Sequence, residues 1–310
     1  MTDWRPSAKL EALKARASLY QTIHAFFSAR QVLQVDTPVL AQHGVTDIHI
    51  HSIAVPGYGY LQPSPEYHMK RLLAAGSGAI YQISKAFRDG EAGRRHNPEF
   101  TLLEWYRPNF SLQQIIDETT ALLQPLLGVP VHQTTFKALF LSQLDVDPLR
   151  ADTQTLQKIA NDIESVPAMN KAALIDWLMA CVIEPALPRD RITVVTDFPS
   201  WAAALAQKKY DADGEEVAQR FEIYAGGYEL ANGYFELIDA TEQANRFADD
   251  IDKRKADSLP TLAADERLIA AMQHGLPACS GVALGVERLL MAQHHWQTIS
   301  DVIAFPTTIA

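Results

Sequence analysis

The sequence predicts an α+β fold, and three observations carry the prediction: two pairs of strand-like segments that place functional residues at period two, and apolar stripes at helical spacing around them. In the first pair, Gln82, Ser84, Ala86 and Arg88 share one strand face, and Phe100, Leu102, Glu104 and Tyr106 share one beyond an eleven-residue loop, 89–99. A loop of that length on a rigid sheet is more often functional than decorative. In the second pair, Gly226-Gly227 suits a two-residue hairpin turn. Such a turn sets Tyr224 opposite Glu229 and leaves Glu222 on the same face, diagonal to Glu229 at about 7 Å.

The helices follow in order. Ser7 is placed to cap a helix whose Leu10, Leu13, Ala17, Tyr20 and Phe27 recur at helical spacing, and this helix is expected at a subunit interface. Leu112, Ile115, Ile116, Thr119, Leu122, Leu123 and Leu126 mark an amphipathic helix that Gly128 and Pro130 end. Residues 131–215 read as helices around Leu156–Ile163 and Ala173–Val182 and a strand at Ile192–Val195, interrupted by prolines. No repeat, low-complexity tract or linker divides the chain. One domain over residues 1–310, with a helical insertion at about 131–215, is therefore expected.

Composition sets limits. The chain has 310 residues, 47% of them hydrophobic, which is ample for a core. A formal net charge of −10 argues against a broad nucleic-acid footprint, because phosphate binding draws on clustered Lys and Arg. Cys181 and Cys279 stand far apart in no metal-ligand spacing, so neither a disulfide scaffold nor a zinc site is expected. No apolar run approaches the roughly 20 residues of a membrane span, and the N-terminus lacks a signal peptide's apolar segment. No membrane partner and a cytoplasmic location are expected.

The chemistry of the two hairpins is complementary. Arginine presents a planar fork suited to phosphate oxygens, and an aromatic ring such as Phe100 can stack on a purine. Glu222 and Glu229 would point at one volume. Hard divalent cations take oxygen ligands and bridge nucleotide phosphates, which makes this pair the magnesium candidates.

The run from Phe87-Arg88-Asp89-Gly90-Glu91 through Arg95-His96-Asn97-Pro98-Glu99-Phe100 to Tyr106 resembles motif 2 of the class II aminoacyl-tRNA synthetases, in their lysyl branch. Gln31 to Leu40, with Pro38, resembles motif 1, a strand that builds the dimer interface in that family. Gly281 to Met291 resembles motif 3, a strand leading into a helix that starts with an ATP-binding arginine. The three motifs stand in family order within roughly residues 7–305. The resemblance implies a class II aminoacyl-tRNA synthetase catalytic core with a mostly antiparallel sheet flanked by helices, the use of ATP and Mg2+, and a homodimer.

The resemblance also implies a site. Arg88 and Arg288 would be the catalytic cations, and Arg88, Glu91, His96, Asn97, Phe100, Glu229, Gly285 and Arg288 would hold ATP, with Mg2+ on Glu222 and Glu229. Glu66 and Glu104 would hold the substrate amine nearer the carboxylate, and Glu236 and Tyr106 the distal one. Arg88 and Asn232 would orient the carboxylate, Ser64, Tyr234, Ala283 and Gly285 would line the pocket, and Gly44 would close it. Glu66, Glu104 and Glu236 around one cavity would leave uncompensated charge unless a cation enters; unpaired buried charge is expensive, so a diamino acid is implied. In a regular strand Asn232, Tyr234 and Glu236 fall on the face opposite Glu229. A bulge or kink near Ala231 to Gly233 is therefore required, and Gly233 would allow it.

Two positions depart from the synthetase pattern. Gly90 occupies the motif 2 glutamate position, where Glu91 could substitute if the loop shifts. Ala283 stands where lysyl-tRNA synthetases have glycine, and one methyl group biases substrate choice by about 1 to 3 kcal/mol. Motif 1 begins near residue 31, leaving no room for an anticodon-binding domain, so a free-standing core without stable tRNA binding is expected. Val45 to His49, Ser64 to Leu73 and Cys279 to Gly285 most resemble paralogues of lysyl-tRNA synthetase that modify a translation factor. That implies an ATP-dependent ligase forming an aminoacyl adenylate, with lysine or, foremost, (R)-β-lysine as substrate and a lysine side chain of elongation factor P as acceptor. Three alternatives stay open: a truncated lysyl-tRNA synthetase charging tRNA, an amide-forming ligase of the asparagine synthetase type, and a silent amino-acid-sensing paralogue.

Overall fold

In the computed structural model, which describes residues 4–310, α1 (Leu10–Ser28) leads through β1 (Leu33–Gln34) and β2 (Leu40–Ala41) to a small hairpin, β3 (Ala54–Val55) and β4 (Gly59–Leu61). Next come α2 (Glu66–Ala74), β5 (Ile80–Phe87), β6 (Glu99–Pro108) and α3 (Leu112–Leu127). The middle third holds β7 (Val131–Thr135), α4 (Phe136–Leu144), α5 (Thr153–Ile163), α6 (Lys171–Leu178), a π turn at Met179–Ile183, α7 (Glu184–Ala186), β8 (Ile192–Pro199) and β9 (Lys208–Tyr210). The last third holds β10 (Glu216–Ala225), β11 (Tyr228–Phe235), α8 (Ala240–Ala256), α9 (Glu266–Gly275), β12 (Cys279–Gly285) and α10 (Val286–His294).

Nine strands form one sheet in the order β1-β5-β6-β12-β11-β10-β8-β7, with β9 beside β10; β2-β4-β3 form a second. Within the large sheet only β1 with β5 and β7 with β8 are parallel, so the fold is α+β around a mostly antiparallel sheet, as predicted. One face packs against α1, α3 and α10 through Phe27, Ile115, Leu123 and Leu290 on Trp105, Phe221 and Leu284. On the other face two apolar clusters stand apart. One joins Met69, Leu73, Phe247 and Leu268 to Tyr106, and the other joins α4, α5 and α6 to Val195, Phe198 and Tyr224. The strands between these clusters carry the polar residues described below.

The α3 helix shows why the sequence was readable. Ser111 and Gln114 form a reciprocal capping box, and Gly128, at φ 68°, ends the helix in the left-handed conformation. The start of α1 differs from expectation. Its N-cap is Lys9, and Ser7 instead donates its hydroxyl to Ser300 O and Ile303 O, tying the N-terminal segment to the chain's other end. The buried face of α1 is Ala12, Leu19, Ile23 and Phe27, while Leu10, Leu13 and Ala17 are exposed. Residues 131–215 are not purely helical, since β7, β8 and β9 extend the main sheet. Among the described residues, no helix is long and apolar enough to cross a membrane.

Candidate active site

Five neighbouring strands contribute one row of side chains. Gln82 pairs with Glu104, Glu104 with Ala283, Ala283 with Asn232, and Asn232 with Glu222. Directly opposed residues project from the same face, so the row is continuous. Beside it on one side run Tyr106, Gly281, Tyr234 and Arg220; on the other run Ser84, Leu102 and Gly285, followed by Ala86 and Phe100.

Glu229 joins this face through a change of register. Ile223 pairs with Ala231 but Tyr224 pairs with Glu229, leaving Leu230 as the extra residue of a bulge. Leu230 and Ala231 consequently lie in the same apolar cluster, where a regular strand would send them to opposite faces. The bulge lies one residue before the expected Ala231 to Gly233. Gly233 answers a different need: a Cβ there would lie 2.4 Å from Phe221 Cε1 and 2.7 Å from Gly281 O. The turn itself is as predicted, with Gly226 and Gly227 at φ 62° and 89°.

At one end of the site the acids converge. Ser64 Oγ accepts the Glu66 backbone N–H at the start of α2 and donates to Glu104 Oε2 at 2.8 Å, while the Tyr106 hydroxyl donates to Glu104 Oε1 at 2.5 Å. Lys70, one turn beyond Glu66, places Nζ 2.7 Å from Glu66 Oε1 and 2.7 Å from Glu236 Oε2. Lys70, Glu104 and Glu236 are each 1% exposed. One expectation is thereby corrected. Glu66 and Glu236 are not left without a cation, because the spacing of Lys70 from Glu66 delivers one internally. Tyr106 holds Glu104 through its hydroxyl while its ring lies beside Glu236, both crowding the position a Cβ on Gly281 would take.

The acids still outnumber the lysine three to one, and the excess shows in Glu104. Burial, then the nearby Glu66, pushes its carboxyl up to about 8, although the Tyr106 and Ser64 hydroxyls pull the other way. Burial opposes the charge on Lys70, but Glu236 and Glu66 outweigh it and raise its pKa, so the ammonium persists.

At the other end the groups are cationic. The Arg88 guanidinium lies 5.0 Å from the centre of the Phe100 ring, and its Nη1 is 3.5 Å from Glu91 Oε1. Gly90, at φ 76°, adopts the left-handed turn that brings Glu91 back to Arg88. Gly285 caps α10, and Arg288 in its first turn donates to Glu229 O at 2.9 Å and contacts Glu229 Oε2 at 3.4 Å. Arg288 Nη2 also lies 2.7 Å from His96 Nε2; burial and this guanidinium lower the pKa of His96, leaving a neutral ring that accepts the bond. Asn97, expected to contact the nucleotide, lies in the same loop as His96. It is buried, donates to Glu99 O at 2.6 Å and accepts from Thr307 N–H at 3.1 Å, so its amide pins the loop to the C-terminal segment.

The family described as tRNA synthetases class II (D, K and N) matches residues 1–309. The chain belongs to the class II tRNA synthetases. Within that family it is 46% identical to an elongation factor P–(R)-β-lysine ligase of Edwardsiella ictaluri, over 98% of each chain. Proteins of the same name from Haemophilus influenzae and Mannheimia succiniciproducens are 44% and 45% identical, over 98% and 97% of each chain.

The expected magnesium ligands of this class II synthetase core fit unequally. Glu229 is partly exposed and, among the described residues, its carboxylate pairs with Arg288, whereas buried Glu222 is paired with Arg220 and accepts the Tyr224 hydroxyl on its other oxygen. Among the described residues no three His, Cys, Asp or Glu side chains cluster to hold a metal. The donor chemistry suits an ion that takes one or two carboxylates and completes its shell with phosphate and water. Beside Glu222 a cavity of about 140 Å³ is lined by Arg220, Asp176 and Glu184, and burial together with Glu229 pushes Glu184 up to about 7.

Gly44 stands apart from the cluster. A Cβ on it would lie 2.7 Å from Ser52 Oγ and 3.5 Å from Leu262 Cδ1, so its immediate neighbours are outside the acid cluster. A larger cleft of about 550 Å³, lined by Asp36, His68, Arg71 and His274, contains none of the expected site residues. The expected site is less open because its charged side chains fold onto one another. Sequence reading missed Lys70, Arg220 and Glu184. The first two carried a signal: Lys70 follows Glu66 by four residues on a helix, and Arg220 precedes Glu222 by two on a strand.

Proposed function

We propose that this chain is an ATP-dependent ligase that activates a lysine isomer, (R)-β-lysine foremost, as its adenylate and transfers it to a lysine side chain of elongation factor P. The observation that carries the reading is the single row from Gln82 to Glu222, which sets an acid-rich amine chamber beside Arg88 and Arg288 on one sheet face. Relatives over nearly the whole chain bear the name of that ligase.

In the first step a substrate carboxylate oxygen attacks the α-phosphorus of ATP, the bond to pyrophosphate breaks, and the aminoacyl adenylate forms. Arg88 bridges the substrate carboxylate and the α-phosphate, and Asn232 helps to orient that carboxylate. Arg288 exchanges its Glu229 contact for a nucleotide phosphate at the N-terminus of α10. Phe100 stacks on adenine, and His96 steadies Arg288. Glu66, Glu104 and Glu236, with Lys70 among them, receive the two ammonium groups. Magnesium on Glu229, with Glu222, would neutralise phosphate charge. In the second step the neutral amine of the acceptor lysine attacks the activated carbonyl, AMP leaves, and the amine loses a proton.

Exposed Leu10 and Leu13 on α1 and exposed Leu33 in the motif 1 region support a homodimer. An acceptor that is a translation factor places the reaction in the cytoplasm. The amine chamber and the net charge of −10 favour a protein acceptor over tRNA. Amino-acid-dependent ATP–pyrophosphate exchange tests activation: (R)-β-lysine should support it better than α-lysine, and no exchange with either would overturn the reading.

A further inference from the structure

Gln82 is 2% exposed, lies at the centre of β5, and faces Glu104 directly across the strand pair. Its Oε1 is buried and has no hydrogen-bond partner among the described residues. Buried polar atoms without partners are few in native proteins and costly, so each calls for a reason. Glu104 cannot supply one. Its two oxygens accept from Ser64 and Tyr106, no hydrogen bond joins it to Gln82 among the described residues, and once an ammonium has ionised it, it has no proton left to offer another acceptor. Two acceptors thus face each other, about 5 Å apart at Cβ in such a pair. An ammonium, with three N–H donors, satisfies both at once. The other neighbour of Glu104 in the row is Ala283, whose methyl group offers no hydrogen bond. An amine held by Glu104 is therefore drawn to the β5 side.

We propose that Gln82 is an amine-binding residue, a neutral acceptor that shares the substrate's ammonium with Glu104 and fixes its position on the β5 side of the chamber. The inference rests on the lysine-activating reading above and adds a residue to its specificity. A neutral acceptor is suited to this place. A further carboxylate directly opposite Glu104 would repel it, and Lys70 already supplies the internal cation.

Two variants of the full-length protein test the assignment, Gln82→Met and Gln82→Glu, with (R)-β-lysine and α-lysine binding followed by calorimetry and thermal melting alongside. Gln82→Met should melt no lower than wild type, because it removes an unpaired buried amide, yet bind the preferred isomer at least about tenfold more weakly with KM for ATP unchanged. Gln82→Glu keeps an acceptor and deletes the amide donor; its charge opposite Glu104 should lower the melting temperature of the free protein, but an ammonium compensates that charge, so binding should stay within a few-fold of wild type and the ligand should raise the melting temperature more. Unaltered affinity in Gln82→Met would overturn the proposal. Equal loss of affinity in both variants would also overturn it, since the amide would then act by donating to Glu104. Wild-type protein that binds neither isomer would instead sink the lysine-activating reading.

Discussion

Lys70 Nζ lies 2.7 Å from Glu236 Oε2, and both residues are buried to within 1% of their surface. With Glu66 on its other side, Lys70 ties α2 to the end of β11 and fixes the two carboxylates in space. Breaking a buried pair from one side leaves charge uncompensated and costs about 3 to 5 kcal/mol. Lys70→Met should show a loss of that order in urea unfolding, and (R)-β-lysine should restore part of it by lending its own ammonium. A variant as stable as wild type would contradict the pairing.

The raised carboxyl of Glu104 gives a pH signature. Its folded value, about 8, lies above the ordinary 4.5, so between those values the folded chain holds a proton that the unfolded chain has released. The contribution to stability is full below about 4.5 and is lost as pH rises through about 8. An ammonium on Glu104 favours the ionised form. Substrate binding near neutral pH should release a proton and strengthen toward pH 8, a result visible as buffer-dependent binding enthalpy. Enthalpies independent of buffer would count against Glu104 as the amine ligand.

Gly281 opposes Tyr234 and Gly233 opposes Val282, so the two glycines occupy neighbouring positions of β12 and β11 and guard different faces. A Cβ on Gly281 would lie 2.3 Å from Tyr106 Cε1 and 2.6 Å from Glu236 Oε1, whereas one on Gly233 meets Phe221 in the apolar core. Gly281→Ala should raise KM for the amino acid by about tenfold or more. Gly233→Ala should instead cost about 1 to 3 kcal/mol of stability with KM unchanged. Chemical denaturation and exchange kinetics on both variants separate the two effects.

These contrasts show what the sequence could disclose. The period-two pattern of residues 82–106, the Gly226-Gly227 turn and the caps of α3 are local, and each was legible. The need for a bulge in β11 was legible from parity, but its position was not. The irregularity falls at Leu230, and Gly233 serves instead the close approach to Phe221, a tertiary fact. Lys70 stands at helical spacing from Glu66, but its pairing with Glu236 on another element is a tertiary fact. Residues 131–215 hid β7 and β9 because short, exposed strand residues such as Val131, Lys208 and Tyr210 lack an apolar alternation.

Arg88 carries the heaviest chemical assignment. Arg88→Ala should abolish ATP–pyrophosphate exchange while leaving the melting temperature nearly unchanged, because the side chain makes a 3.5 Å pair with half-buried Glu91 and approaches the Phe100 ring. Near-normal exchange would refute its role.

Incubating the protein with ATP, (R)-β-lysine and elongation factor P, then locating any mass increase by peptide sequencing, reads out the ligase activity itself. One lysyl addition on a lysine side chain of elongation factor P is expected, dependent on ATP and favouring (R)-β-lysine over α-lysine. An unmodified factor, with the label transferred to tRNA instead, would contradict it.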